Sequence, residues 1–204
     1  MYYRAMLTTP QDLAKRMLGF VRRCDVEEML NTQITWQLKR DLADYYQTLD
    51  KNADIRYTNT DKGREIKEFL LDFCVIADHR MDTAIESEWN PDLVAVEYDF
   101  EKLLYVKASL KVMICDSPDY VTGKLVPAVD FLTKRKQNCE TGETYMIFNW
   151  RGNRGVANCH TWTPTEKSPA GSEAIRFRCL PGFPAIVSDK GDHHARDAWL
   201  GELD

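Results

Sequence analysis

The distribution of apolar positions divides the chain into recognisable elements. After Thr9-Pro10, an N-cap followed by proline at the first helical position, Leu13, Met17, Phe20, Val21 and Cys24 recur at helical spacing. A second helical stretch runs from about Gln33 to Leu49, with Ile34, Leu38, Leu42 and Tyr45 on one stripe. Two amphipathic helices of this kind suit either a layer laid against a sheet or a separate helical lobe. Residues 50–63 are rich in Asn, Asp and Thr and read as a connection.

The pattern then changes. From Phe69 to Ile76 every position but Asp72 is apolar, as in a central strand or a short buried helix. Ala77-Asp78-His79-Arg80 supplies a turn, and Thr83 to Trp89 reads as a strand from the mix of apolar and polar residues through Ala84 to Trp89. Two strands joined by so tight a turn form an antiparallel hairpin, with Asp72 in its first arm and Glu86 in its second. Asn90-Pro91-Asp92 ends the strand and opens a helix over about 93–106, whose stripe is Leu93, Val96, Phe100, Leu103 and Leu104. Leu110 to Cys115 reads as a strand covered on both faces. A helix over about 123–137, strands over 145–150 and 156–162, a loop over 163–173 and a last strand over 175–180 complete the order. Hairpins combined with a strand–helix–strand crossover predict an α/β fold, a mixed β-sheet flanked by helices. The chain divides as one domain over 1–204: a helical extension over 1–60, a core over about 65–160, and a loop, strand and tail over 163–204.

Composition narrows the function without naming it. Over 204 residues, 27 Lys and Arg against 32 Asp and Glu leave a net charge of -5. That argues against a generally basic nucleic-acid binder but not against a local basic groove. No stretch approaches the length of a membrane span, and Met1-Tyr2-Tyr3-Arg4 does not begin a signal peptide. The six cysteines, at 24, 74, 115, 139, 159 and 179, form no CxxC pair. They point to reduced thiols in a cytoplasmic protein rather than to a zinc ribbon or disulfide scaffold. Cys159-His160 and His193-His194 have nothing nearby to complete a metal set.

Candidate chemistry centres on three carboxylates. Glu86 and Glu88, two apart on a strand, share a face and repel each other. A cation, a basic partner or solvent must relieve them, and a plain solvated strand face is the simplest answer. Asp72 is expensive to bury alone, so it either serves a site or is held by an ion pair or backbone donors. On neighbouring strands, Asp72 and Glu86 could hold Mg²⁺ or Mn²⁺, hard cations that take oxygen ligands and keep several waters. Such an ion lowers the pKa of a bound water and stabilises charge on a phosphate oxygen.

Asp72, then Glu86-Ser87-Glu88, then the helix through Asp99-Phe100-Glu101-Lys102-Leu103-Leu104 and the strand from Leu110 to Cys115 resemble the PD-(D/E)XK nuclease-like superfamily. The resemblance covers roughly residues 65 to 150. It implies a restriction-endonuclease-like core and Mg²⁺-dependent phosphodiester hydrolysis of nucleic acid, DNA before RNA, by a homodimer where two strands are cut. It assigns Asp72 and Glu86 to the metal and Glu88 to orienting or deprotonating the water. Two departures stand out: no proline precedes Asp72, and Glu88 takes the place of the usual lysine. Family members that recruit lysine from the following helix point to Lys102 as catalytic. The helical wheel, however, sets Lys102 almost opposite Phe100, toward solvent, and brings Asp99 nearer the sheet edge. Lys107 and Lys111 are further candidates. The rival reading is a nuclease-like fold that has lost catalysis and acts as a nucleic-acid-binding or protein-interaction module.

The remaining polar features have simpler readings beside functional ones. Asp78 and Asp82 read as turn residues, and Glu65 or Glu68 as a solvated face or an extra carboxylate. Lys134-Arg135-Lys136, Arg151, Arg154, Arg176 and Arg178 suit a solvated cluster or a phosphate-binding surface. The five tryptophans read as core or edge aromatics.

Overall fold

Residues 6–23, 31–57, 71–116, 142–150, 157–163 and 178–179 are described by the computed structural model. Their strands are β1 (Asp54–Tyr57), β2 (Phe73–Ala77), β3 (Arg80–Glu88), β4 (Leu110–Cys115), β5 (Thr144–Trp150), β6 (Ala157–Trp162) and β7 (Arg178–Cys179). These lie side by side in chain order as one sheet. The pairs β1–β2, β2–β3, β5–β6 and β6–β7 are antiparallel, whereas β3–β4 and β4–β5 are parallel. The sheet is therefore mixed and α/β, as the patterning predicts.

Helices α1 (Pro10–Arg23) and α2 (Asn31–Leu49) cover one face, and α3 (Leu93–Tyr105) covers the other. Leu13, Met17, Phe20, Ile34, Leu38 and Leu42 share a core with Phe73, Val75, Ile85 and the alternate residues of β4 and β5. The first two helices thus form a layer of the domain rather than a separate lobe. On the other face Val96, Phe100, Leu103 and Leu104 meet Cys74, Ala84, Met113 and Ile147. β4, between the two layers, is buried at all six positions, Lys111 among them, as expected of a strand covered on both faces.

Local chemistry explains the element ends. Thr9 Oγ1 accepts from the backbone N–H of Asp12, capping α1. Asp78 and His79 both adopt positive φ, 49° and 63°. Left-handed geometry at both central residues defines the type I′ turn whose twist suits a two-residue hairpin. Asp92 caps α3 by accepting from Val94 N–H at 3.1 Å.

Several elements depart from the expected pattern. The polar connection over 50–63 contains β1, whose Asp-Ile-Arg-Tyr alternates correctly but is only four residues long. Asp72 lies in the bend just before β2 instead of inside the strand. Tyr46, not Tyr45, is the fully buried tyrosine of α2. Asp82 is not a turn residue: the register between β2 and β3 skips there, pairing Val75 with Thr83 and Ile76 with Met81. This bulge turns Asp82 to the α1 side, where Leu7 N–H and Thr83 Oγ1 donate to it at 3.0 and 2.9 Å. The helix expected over 123–137, the turn over 151–155, Glu65, Glu68, Cys24 and the basic residues 134–136, 151, 154 and 176 lie outside the described residues.

Candidate functional site

Strand alternation fixes the first half of the site. Ile85 and Ser87 face α1 and α2, so Glu86 and Glu88 project from the end of β3 toward α3. Glu86 is 2 % exposed. Its Oε2 lies 3.5 Å from Lys102 Nζ, while its Oε1 has no hydrogen-bond partner among the described residues. Glu88 accepts from Asn90 N–H at 2.6 Å. Asn90 Oδ1 accepts in turn from Asp92 N–H, ahead of the Asp92 cap. This succession of side-chain-to-backbone bonds ties the end of β3 to the start of α3.

Helix α3 brings in the other half. Asp99 is buried beside the apolar stripe, nearer the sheet, as its place on the wheel suggests. Lys102 does not simply face solvent. Its side chain is 37 % exposed, and its ammonium returns to Asp99 Oδ1 at 2.6 Å as well as to Glu86. A helical side chain leans toward the N-terminus, and a four-carbon stem can run along apolar surface before placing its charge. Those two facts carry Lys102 from the flank of the helix onto β3.

Asp72 belongs to the opposite side of β3. Its Oδ1 accepts from Lys39 Nζ at 2.9 Å, and its Oδ2 accepts from Ser87 N–H at 2.9 Å and Ser87 Oγ at 2.6 Å. A cleft of about 200 Å³ between α2 and Trp89 opens onto this group. Asp72 and Glu86 are near enough for the charge of one to disfavour the charge of the other. Their partners nevertheless lie on different layers.

The electrostatics separate the two carboxylates further. Burial, followed by the charge of Asp72, pushes Glu86 up to about 8, against the opposing pull of Lys102. Burial also raises Glu88, with the Asp99 carboxyl adding to it and Asn90 N–H opposing. For Asp72 burial works upward too, but Lys39 and the two Ser87 donors together overcome it. They hold its carboxyl below the ordinary range. Lys102 is raised because Asp99 and Glu86 outweigh its own desolvation.

Among the described residues no three His, Cys, Asp or Glu side chains converge as ready metal ligands. Oxygen donors suited to a hard cation are nevertheless present. Glu86 offers a buried oxygen without a partner among the described residues, a donor of the kind such an ion takes. Asp72 could join only by giving up Lys39 or Ser87.

Other candidates have structural roles. Lys111 is completely buried, donating to Glu143 Oε2 at 2.7 Å and to the Tyr145 hydroxyl at 3.0 Å. Lys107 is exposed. Trp89 donates to Thr35 Oγ1 at 2.6 Å and meets Trp150 edge to face, and Trp36 lies under Arg40. Cys159 and His160 occupy successive positions of β6 and so opposite faces. Lys39, Ser87 and Glu143 do not emerge as site residues from motif reading, and Lys111, a catalytic candidate there, is instead half of a buried pair. Only Lys39 leaves a trace, a lysine bordering the buried stripe of α2 while an aspartate interrupts an apolar run. Among the described residues, no helix is long and apolar enough to cross a membrane. No family model, curated protein or solved structure matches the chain.

Proposed function

We propose that the protein is a Mg²⁺-dependent nuclease (Mn²⁺ serving equally) that hydrolyses phosphodiesters in nucleic acid, DNA before RNA. The observation that carries this reading is Glu86: a buried carboxyl with an oxygen unpartnered among the described residues, at the end of a strand that feeds a helix and then a parallel strand. That order, from acidic residue through hairpin and Glu-x-Glu strand to helix and strand, agrees with the restriction-endonuclease-like core that the resemblance implies. Glu86 is the carboxylate that holds the ion, and Asp72 reaches it only after releasing a present partner. When bound, the ion supplies a more acidic water and stabilises charge on phosphate oxygen. Glu88, fixed by Asn90 N–H, orients or deprotonates the attacking water. Lys102 supplies the positive charge that the missing lysine of the motif would provide. We further propose a homodimer for duplex cleavage and a cytoplasmic location.

A second reading has its own observation. Both Asp72 oxygens are engaged by Lys39 and Ser87, as expected of a fold that keeps the framework and binds nucleic acid or protein without cutting. Incubation with single-stranded, duplex and branched DNA, with RNA in parallel, separates the two. The nuclease reading predicts Mg²⁺-dependent cleavage that Glu86→Ala reduces by about 100-fold or more. No cleavage of any of these substrates in Mg²⁺ or Mn²⁺ would leave the binding module.

A further inference from the structure

We propose that the divalent-cation site is completed from α3: Asp99, not Asp72, is the second carboxylate beside Glu86, and the Lys102 ammonium is the resident counter-ion that the cation displaces. This rests on the nuclease reading and assigns its metal ligands differently from the motif.

Three observations bear on this assignment. Glu86 is nearly inaccessible yet leaves Oε1 without a partner among the described residues, an arrangement that costs stability unless something else claims the oxygen. Lys102 Nζ already lies between Glu86 Oε2 and Asp99 Oδ1, at 3.5 and 2.6 Å. Positive charge is therefore accommodated between these two groups, one from the sheet and one from the helix. Asp72, by contrast, spends Oδ1 on Lys39 and Oδ2 on Ser87, on the far side of β3.

Charge and mobility favour exchange. With both ionised, Glu86 and Asp99 set two carboxylates against one ammonium, so a divalent cation balances them better than Lys102 does. Mg²⁺ and Mn²⁺ need only one or two protein carboxylates, because water fills the remaining positions. Lys102 is 37 % exposed, and its flexible stem lets the ammonium swing off the two carboxylates toward a substrate phosphate without moving the helix.

The test is calorimetric titration of Mn²⁺ into the full chain, on wild type, Asp99→Asn, Asp72→Asn and Lys102→Met, with circular dichroism confirming each fold. Asp99→Asn should weaken binding by about ten-fold or more, as loss of one charged ligand does. Asp72→Asn should stay near wild type. Lys102→Met should bind roughly three- to ten-fold more tightly, having lost the competing charge. Binding that is lost in Asp72→Asn and kept in Asp99→Asn overturns the assignment while leaving the nuclease reading standing. Intact Mn²⁺ binding without cleavage removes the nuclease reading alone. Should Asp99→Asn fail to fold, Lys102→Met decides: affinity no higher than wild type overturns the proposal. Absence of Mn²⁺ binding in both wild type and Lys102→Met overturns it too.

Discussion

At Glu86 the cost of burying a carboxylate is set directly against what that carboxylate can do. Its carboxyl titrates near 8 in the folded chain, well above its ordinary value of 4.5. Between those values the folded state holds a proton that the unfolded state has released. Its contribution is therefore complete below about pH 4.5 and is lost as pH rises through about 8. Glu86→Gln should flatten this dependence and be more stable than wild type above pH 8, by roughly 2–4 kcal/mol in urea unfolding. Asp72 behaves oppositely. Held below its ordinary range by Lys39 and Ser87, it contributes stability that is present above that range and fades in acid. Lys39→Met leaves the carboxylate without its cation at a site still 26 % exposed, so the expected loss is about 1–3 kcal/mol. Urea unfolding at neutral pH measures it, and unchanged stability would mean that Ser87 and solvent suffice for Asp72.

Elements were legible where their pattern was long. The stripes of α1 and α3 and the fully buried β4 followed from apolar spacing, because each runs through several turns or alternations. β1 escaped because four residues between polar neighbours carry too little period to detect. The bulge at Asp82 was invisible for a related reason: one inserted residue shifts the facing of its neighbours without altering composition. Lys102 shows the limit of the helical wheel, which fixes where a side chain starts but not where its flexible end goes. Asp99 was placed correctly because its side chain is short. The hairpin offers a test at this scale. His79 holds φ 63° without being glycine, and a left-handed conformation costs a side chain about 1–2 kcal/mol. Part of the gain from relief is lost to greater freedom in the unfolded chain. His79→Gly should therefore raise stability by about 0.5–1 kcal/mol without changing the sheet. A decrease would show that the imidazole makes contacts worth more than the strain.

Across the whole molecule, two cores enclose one sheet, and charged groups sit where helix and sheet layers meet. Lys39–Asp72 joins α2 to the start of β2, and Lys102–Glu86 joins α3 to β3. Lys111–Glu143 lies inside the second layer with no exposure at the lysine. Deleting one member of such a buried pair strands the other, so Lys111→Met should cost about 3–5 kcal/mol in urea unfolding. Adding Glu143→Gln should recover much of that, since no unpaired buried charge then remains. Lys111 and Glu143 are thus fold determinants, whereas Glu86 is poorly satisfied in its own fold. The central claim is that this dissatisfaction is relieved by a divalent cation. A cation that binds only the native state raises stability with its concentration, so the decisive measurement is thermal unfolding of wild type and Glu86→Gln across an Mn²⁺ titration at mildly alkaline pH. The account predicts a midpoint that climbs with Mn²⁺ in wild type and stays level in Glu86→Gln. Equal climbs in both proteins, or none in wild type, would contradict it.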